Sequence, residues 1–169
     1  MRDIKIIKMP IGESSAGWMK VKPFYVPIKN WLIFKLARLA PVGPNKFFYK
    51  LMGMRIGKNV QIMPCFNADI FFPEKVSIGE GTVIGIDALF TCHEFNPTEF
   101  RYGKITIGKN VLIGARAFIL PGVTIGDNAL VSAQTLVYKD VPANVIAFGS
   151  PLQFKERGIK TNSVKLKKK

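Results

Sequence analysis

A six-residue period runs through the second half of the chain and restricts its fold more than any other feature. Neither an α-helix nor an isolated strand repeats every six residues. An aliphatic residue returns at each sixth position: Ile107, Ile113, Ile119, Ile125, Val131 and Val137. A second uncharged residue follows each of these by four: Val111, Ala117, Val123, Ala129, Thr135 and Val141. The pattern predicts short edges that point two side chains inward and expose the residues between them.

Turn-forming residues mark the ends of these edges. Asn or Gly stands where the backbone needs a positive φ in four segments: Ile56–Asn59, Ile78–Gly81, Ile107–Asn110 and Ile125–Asn128. Pro121-Gly122 fits the centre of a type II turn. Three edges close a triangular coil of about eighteen residues, and stacked coils bury the aliphatic column. The run from 107 to 142 predicts two coils, and residues 56–93 predict more, with a register slip around 68–75.

These repeats resemble the hexapeptide-repeat acyltransferases, which are all-β and fold as left-handed parallel β-helices. The resemblance covers residues 51–157 and is most specific in ITIGKNVLIGARAFILPGVTIGDNALVSAQTLVYKDVP and in the later Gly149–Pro151. The most similar groups are the galactoside and maltose O-acetyltransferases and the acetyltransferases of capsule or lipopolysaccharide sugars. Outside this region we expect a short N-terminal helical extension at residues 1–50 and a basic tail at 158–169. The left hand is implied by the resemblance alone, since parallel crossovers generally favour the right hand.

His93 is the only histidine in the chain and lies where the six-residue period breaks. The period returns at Ile105 or Ile107, which predicts an extruded loop over Glu94–Lys104. In the family that the sequence resembles, the catalytic base is a histidine just ahead of such a loop, nine residues after an Ile-Gly pair. Ile84 and His93 keep this spacing. The resemblance implies that His93 takes the proton of a sugar hydroxyl that attacks acetyl-CoA directly in a ternary complex.

Several neighbours of His93 are further candidates. Consecutive residues of a strand face opposite sides, so a Cys92–His93 nucleophile pair is geometrically awkward, and we expect Cys92 in the core. Glu94 has two open interpretations, because it either orients the imidazole or is a surface carboxylate. The resemblance implies a contact with the acceptor for Asn67. Arg101 and Tyr102 lie on the extruded loop, where we expect them to contact the acceptor or a neighbouring subunit, and Glu94 is a further candidate for acceptor binding.

The resemblance also implies a groove for acetyl-CoA along one edge of the prism and no metal. Ala115 and Ala133 would lie beside the pantetheine arm, and Lys139 would reach the phosphates. Where relatives often carry an arginine after the G-x-P turn, this chain has Gln153, followed by Lys155 and Arg157 as further phosphate candidates. Leu112 also replaces a tryptophan that many relatives have.

The family assembles as trimers with active sites shared between prisms, so we expect a homotrimer and an inactive monomer. His93 of one subunit would face the coenzyme groove of the next. A γ-class carbonic anhydrase has the same fold and trimeric state, but it needs three histidines on a metal. A chain with one histidine excludes that function.

The net charge of +14 is concentrated at the two ends of the sequence. Residues 1–55 carry eleven basic and two acidic side chains, and residues 152–169 carry seven basic and one acidic. The stretch between them has seven basic and eight acidic residues. This distribution favours an anionic surface that meets the ends of the chain rather than the repeats. A solvated tail is an equally good explanation of the terminal KLKKK.

The segment Asn30–Ala40 is apolar with two cations and precedes Pro41 and Pro44. It predicts a short helix with two compatible roles. The helix could cap the open end of the prism, which every solenoid must hide from water. It could also lie in a membrane interface, where anionic lipids attract Lys and Arg.

Composition narrows the remaining classes. No apolar run reaches the roughly 18 to 20 residues of a spanning helix, no secretory signal is evident, and two cysteines predict no disulfide framework. We expect a cytoplasmic protein, with contact to the inner membrane face as an extension. Acetylation of an amine on an amino sugar or antibiotic remains an alternative, as does a scaffold or binding module without catalysis. Nucleic-acid binding is disfavoured because the repeats are not basic. Neither the acceptor nor the acyl chain length follows from the sequence.

Overall fold

The computed structural model describes residues 2–158, and the first elements of the chain lie outside the repeats. Strand β1 (Ile4–Lys8) is followed by a 3-10 helix (Ser14–Lys20) and by two α-helices, α1 (Tyr25–Leu39) and α2 (Asn45–Leu51). Helix α1 ends just before Pro41, as the sequence predicts.

The chain then winds through stacked coils of very short strands. In the lower coils these are β2 (Arg55–Ile56), β3 (Gln61–Ile62), β4 (Val76–Ile78), β5 (Val83–Ile84) and β6 (Leu89–Phe90), with a 3-10 turn at Pro73–Lys75. A hairpin interrupts the coils with β7 (His93–Asn96) and β8 (Glu99–Gly103). The upper coils hold β9 (Ile105–Ile107), β10 (Leu112–Ile113), β11 (Phe118–Ile119), β12 (Thr124–Ile125), β13 (Leu130–Val131) and β14 (Leu136–Val137). The last two strands are β15 (Val145–Phe148) and β16 (Gln153–Glu156).

These strands form three sheets, which are the faces of a prism. The first face has the order β12-β9-β4-β2, the second β16-β15-β13-β10-β5-β3, and the third β14-β11-β6. All neighbours within the faces are parallel except β16, which is antiparallel to β15. The parallel β-helix predicted from the six-residue period is confirmed, and its left-handed sense stays a prediction.

The aliphatic column predicted from the sequence fills the interior. Every one of the twelve periodic positions from Ile107 to Val141 is at most 2 % exposed. In the upper coils Leu112 pairs with Leu130, eighteen residues later. Because each side chain of the column packs on the coil above and below, the regular coils form one continuous core.

The three corners of the prism differ. We call the corner between the first and second faces the asparagine corner, because Asn59, Asn110, Asn128 and Asn144 all have positive φ there. The corner between the second and third faces is the alanine corner, after Ala115 and Ala133. The corner between the third and first faces is the interrupted corner, because the chain departs from its eighteen-residue spacing there.

Strand pairing locates both insertions at the interrupted corner. Gln61 pairs with Val83, twenty-two residues later, and Val83 pairs with Leu112, twenty-nine residues later. The first spacing places four additional residues between Asn67 and Val76, and the second places eleven between Phe90 and Ile105. The loop predicted over 94–104 is the β7–β8 hairpin, and β1 adds a third, antiparallel strand to it.

The N-terminal helices cover the open end of the first coil, which confirms the predicted cap. Asn30 Nδ2 donates to the Ile70 carbonyl at 2.8 Å, and Asn45 Nδ2 donates to the Ile62 carbonyl at 2.8 Å. Within residues 2–158 no helix is long and apolar enough to cross a membrane. Apart from Gly158, the predicted basic tail lies outside the described residues.

Candidate active site

His93 begins strand β7 at the interrupted corner, where the chain leaves the third face to form the hairpin. Its side chain is 21 % exposed, so the imidazole is largely enclosed but keeps an accessible edge. The expectation that the only histidine lies at the break in the repeat is confirmed. A rigid coil below and a paired hairpin above hold it in place.

Asp69 is the partner of this histidine. Its Oδ2 lies 2.7 Å from His93 Nδ1, and the carboxylate side chain is fully buried. The carboxylate also accepts three backbone N–H groups, from Cys92 to Oδ2 at 2.6 Å and from Phe71 and Phe72 to Oδ1 at 2.7 and 3.0 Å. A buried carboxylate with this many donors has a fixed orientation.

The geometry selects one tautomer of the imidazole. A carboxylate oxygen accepts hydrogen bonds, so the Nδ1 of His93 is the nitrogen that donates to Asp69. Nε2 is then left with a free lone pair on the opposite side of the ring. The arrangement can therefore remove a proton from a group presented to Nε2, while Asp69 stabilises the imidazolium that forms.

Aromatic rings surround the imidazole and fix its plane. The Phe71 ring centroid lies 4.9 Å from that of His93, the Phe72 centroid 5.9 Å, and the Phe100 centroid 6.0 Å. Phe72 and Phe100 are fully buried. These rings exclude water from the Asp69 side, which strengthens the hydrogen bond there.

Cys92 is a core residue, as the sequence predicts. Its side chain is fully buried, and burial, together with the nearby Asp69 carboxylate, raises the pKa of the thiol. A thiol held in its neutral form is a poor nucleophile. The residue therefore contributes packing beneath His93 rather than an acyl intermediate.

The interpretation of Glu94 as the residue that orients the imidazole is wrong. Glu94 lies on the opposite face of β7, where Arg2 donates to both of its carboxylate oxygens at 3.1 Å. Arg101 lies opposite Glu94 on β8, and their charged atoms are 3.7 Å apart. Alternation along the strand separates Glu94 from His93, and Asp69 is the carboxylate that contacts the imidazole.

Tyr102 lies directly opposite His93 in the hairpin register, whereas Arg101 faces the other side. The Tyr102 ring stacks on Phe72 with centroids 5.4 Å apart and an interplanar angle of 8°. Arg101 donates to Glu99 Oε2 from Nε and Nη2 at 2.9 and 2.6 Å. The hairpin thus brings Tyr102 to the histidine and holds Arg101 in an ion-pair cluster on its outer face. Their contacts with an acceptor stay predictions.

Asn67 lies two residues before Asp69 and forms a bridge with Leu89 on the third face. Its Oδ1 accepts from Arg38 Nη1 at 3.2 Å, and its Nδ2 donates to the Cys65 carbonyl at 3.0 Å. Both ends of the amide are therefore engaged within the chain. A contact with an acceptor stays a prediction.

The residues predicted to line the coenzyme groove occupy different corners. Ala115 and Ala133 stack at the alanine corner, where Gln134 N donates to the Ala115 carbonyl at 2.9 Å. Lys139 follows β14 on the third face, and its Nζ lies 4.9 Å from the Phe154 ring centroid. Lys155 is exposed on β16.

Arg157 lies at a third position, at the asparagine corner. Its Nη1 donates to the Asn128 carbonyl at 2.8 Å, and its backbone N donates to the Asn144 carbonyl at 2.9 Å. The guanidinium therefore closes the last turn of the prism. It lies a full face away from Ala115 and Ala133, and its contact with coenzyme phosphate stays a prediction.

The third face separates His93 from the alanine corner of the same chain. Ile119 pairs with Phe90, three residues before His93, whereas Ala115 lies at the other end of that face. At about 3.3 Å per residue, the five steps from Ala115 to Leu120 extend over roughly 16 Å. A donor molecule along the alanine corner would therefore lie far from His93 of the same chain.

Sequence reasoning missed Asp69. It stands 24 residues before His93 in the segment where the period slips, and no spacing rule connects the two. The only available signal was the slip itself, because both departures from the period fall at one corner once the coils are stacked. A buried Asp in an Asp-Ile-Phe-Phe segment is otherwise typical of an ordinary turn.

Comparison with known proteins finds hexapeptide-repeat acetyltransferases. A family profile described as the hexapeptide repeat of succinyl-transferase matches residues 104–139. YvoF of Bacillus subtilis (strain 168), a protein named among the acetyltransferases, is 39% identical over 153 residues, which cover 88% of this chain and 89% of YvoF. A galactoside O-acetyltransferase of Lactococcus lactis subsp. lactis (strain IL1403) is 34% identical over 131 residues, covering 69% of this chain and 62% of the relative.

A solved structure has the same fold. A galactoside acetyltransferase in complex with coenzyme A matches 80% of this chain and 84% of its own with a TM-score of 0.61, at 23% sequence identity. At 23% identity this similarity supports the fold, a prism of stacked coils.

Proposed function

The chain belongs to the hexapeptide-repeat acetyltransferases, and from this premise we propose that it moves an acetyl group from acetyl-CoA to a hydroxyl of a sugar or glycan precursor. The observation that carries the proposal is the imidazole of His93, held by a buried Asp69 with its Nε2 free. A relative named as a galactoside O-acetyltransferase supports a sugar hydroxyl as the acceptor. A similar structure in complex with coenzyme A supports acetyl-CoA as the donor.

In the proposed reaction, Nε2 of His93 takes the proton of the acceptor hydroxyl as its oxygen attacks the thioester carbonyl carbon. The carbonyl electrons move to oxygen and form a tetrahedral intermediate. When this collapses, the C–S bond breaks and the imidazolium returns the proton to the leaving sulfur. Asp69 keeps Nδ1 protonated throughout. Nε2 therefore acts first as the base and then, once it is protonated, as the acid.

We place the donor in the groove of a neighbouring subunit in a homotrimer. In one chain His93 and the alanine corner are a face apart, whereas two prisms side by side can bring the interrupted corner of one against the alanine corner of the other. Ala115 and Ala133 would leave space for the pantetheine arm because their side chains are small. Lys139 and Lys155 supply cations for the phosphates of the coenzyme. Arg157 is a third candidate, and it would contact a phosphate through the guanidinium N–H groups that do not bind the Asn128 carbonyl.

The test is release of free thiol from acetyl-CoA in the presence of a panel of sugars, amino sugars and glycan precursors. The wild-type protein is expected to release thiol with at least one sugar, and His93→Ala to lose about a thousandfold of that rate. Asn110→Gly, at the asparagine corner, is the control and should keep full activity. Mass spectrometry of the product, before and after mild alkali, separates an ester from the amide that N-acetylation would give. Equal rates for wild type and His93→Ala contradict the proposal.

Mixing two inactive variants tests the shared site. His93→Ala lacks the base, and Ala133→Trp fills the groove. If every site combines two subunits, an equimolar mixture of the two variants is expected to recover about a quarter of wild-type activity, since random assembly pairs an intact base with an intact groove in that fraction of all sites. A mixture that stays inactive, although subunits exchange, places the whole site within one chain.

A further inference from the structure

Helix α1 is apolar on two opposite faces, and only one of them packs on the prism. Pro27, Asn30 and Ala37 are buried on the packed face. The other face carries five large apolar side chains that are 51 to 84 % exposed. Helix geometry places them on one stripe, which we call the α1 stripe: Tyr25, Ile28, Leu32, Leu36 and Leu39.

The neighbouring helix also carries large apolar side chains that are exposed. Phe47 and Leu51 lie one turn apart on α2 and are 64 and 56 % exposed. Monomeric proteins rarely leave such a series of large apolar side chains in water unless the surface meets a partner or a membrane. The cap explains the packed face of α1, and it does not explain the α1 stripe.

The sequence around the stripe is strongly basic, and of its cations Lys22 pairs with Glu74 at 2.8 Å. From Ser14 to Ala68 the sequence contains nine Lys or Arg and no Asp or Glu. Lys29 and Lys35 are exposed and lie along the two margins of the stripe, as the helical period requires. Trp31 is half exposed at the Lys35 margin, and the Lys35 Nζ lies 5.2 Å from its ring centroid.

We propose that the α1 stripe docks on the surface of an anionic lipid bilayer. The apolar side chains enter the interface between headgroups and acyl chains, and Lys29 and Lys35 contact the lipid phosphates. Trp31 lies at the level that tryptophan favours in membranes. With 15 residues, α1 is shorter than a spanning helix and lies parallel to the surface.

The same charges argue against a second copy of this chain as the occupant. A symmetric contact through the stripe would bring the basic margins of the two copies together, with no carboxylate in residues 14–68 to pair with Lys29 and Lys35. An anionic bilayer offers an apolar layer and negative phosphates together. The proposal does not depend on the chemistry at His93.

The test is flotation of the full chain with vesicles of phosphatidylcholine, with and without phosphatidylglycerol. Binding is expected with the anionic vesicles and is expected to weaken with salt. The triple variant Ile28→Ser, Leu32→Ser, Leu36→Ser should bind about a hundredfold more weakly. The double variant Lys29→Gln, Lys35→Gln should lose about fivefold for each cation.

Two controls match these variants. Ile11→Ser removes an exposed apolar side chain outside the helices, and Lys109→Gln removes an exposed cation from the upper coils. Both should bind within about twofold of wild type. The basic residues near the C-terminus are present in every variant, so their attraction to lipid cannot account for a loss in the triple variant.

Tryptophan fluorescence gives an independent readout. The chain has two tryptophans, and Trp18 packs on Phe71 with ring centroids 5.2 Å apart. Anionic vesicles should shift the emission to shorter wavelength in wild type and leave the Trp31→Phe variant unchanged. Wild-type binding by the triple variant, or equal binding to neutral vesicles, overturns the proposal. So does a fall in the oligomeric mass of the triple variant, because the stripe would then cover another copy.

Discussion

Two corners of the same prism show how a regular solid acquires a reactive site. At the asparagine corner every turn has the same length, and Asn128 Nδ2 donates to Asn144 Oδ1 at 3.1 Å in a ladder that follows the stack. At the interrupted corner the chain inserts four residues in one coil and eleven in the next. The first corner repeats one hydrogen-bonding solution, and the second brings together Asp69 and His93 from different coils. Regular turns stabilise the stack, whereas departures from the period bring together polar side chains from distant segments.

Among the changes that compare the two corners, the largest effect is expected from Asp69→Asn. An amide at this position presents N–H groups to donors, so the imidazole loses its orientation and its preferred tautomer, and acetyl transfer should fall by a hundredfold or more. Asp127→Asn is the matched control at the asparagine corner, where Asp127 Oδ1 accepts from Lys109 N at 2.7 Å. The control should keep its turnover. Steady-state thiol release and melting temperatures of both variants separate catalysis from stability. Similar losses of thiol release in Asp69→Asn and Asp127→Asn would contradict the claim that the interrupted corner alone holds the reactive site.

The next effect is on stability at the asparagine corner. A Cβ at Gly79 would lie 2.4 Å from the Gly108 carbonyl oxygen of the coil above, so Gly79→Ala must separate two backbones. We expect the free energy of unfolding to fall by about 3 kcal/mol, as for a strongly overpacked core. Denaturant titration measures this loss. A Cβ at Gly158 meets no atom within 4 Å, so Gly158→Ala should be neutral. Unchanged stability of Gly79→Ala would mean that the coils can separate easily.

A smaller effect tests the left-handed turns. Asn128 has φ of 57°, a conformation that costs most side chains about 1–2 kcal/mol. Asn128→Ala should therefore lower the free energy of unfolding by about that amount, and Asn128→Gly should lower it much less. Thermal unfolding of Asn128→Ala and Asn128→Gly measures the difference in stability between them. Both variants lose the side-chain hydrogen bonds of Asn128, so this loss does not contribute to the difference. Equal stability of the two variants would mean that Asn128 stabilises the corner through its hydrogen bonds alone and that its left-handed backbone conformation has no cost for alanine.

The smallest effect concerns the hairpin at the interrupted corner. Hydrogen bonds from Lys8 and Arg101 lower the pKa of Glu99 from 4.5 to about 2. A carboxyl with a lowered pKa in the fold adds stability above pH 4.5, and this contribution is lost as the pH falls towards 2. Glu99→Gln should remove that part of the acid dependence of unfolding, whereas Glu156→Gln at the exposed β16 should not. Parallel acid-unfolding curves for wild type and Glu99→Gln would contradict this.

The repeats could be predicted from the sequence because each coil meets the same local requirement. Ile113 and Ala117 must fit the same column as Ile125 and Ala129, so the six-residue period is sufficient to predict the fold. The position of His93 could also be predicted, since a break in a strict period is visible without a structure.

The rest depends on contacts between distant segments. Asp69 reaches His93 only when two irregular coils stack, and neither insertion length is encoded in a motif. Strand β1 pairs with β8 across more than ninety residues, and nothing in its Ile-Lys-Ile-Ile-Lys sequence indicates that partner. Arg116 and Gln134 adopt φ of 57° at the alanine corner, and neither residue is the Asn or Gly that usually indicates this conformation.

The most direct test of the central claim is rescue of His93→Gly by added imidazole. With acetyl-CoA and an active acceptor, the variant is expected to lose about a thousandfold in the rate of acetyl transfer. Imidazole should restore part of the rate in proportion to its neutral form, while Asp69→Asn should gain nothing from it. Transfer by His93→Gly within about tenfold of the wild-type rate, without imidazole, would contradict the role of this ring as the base.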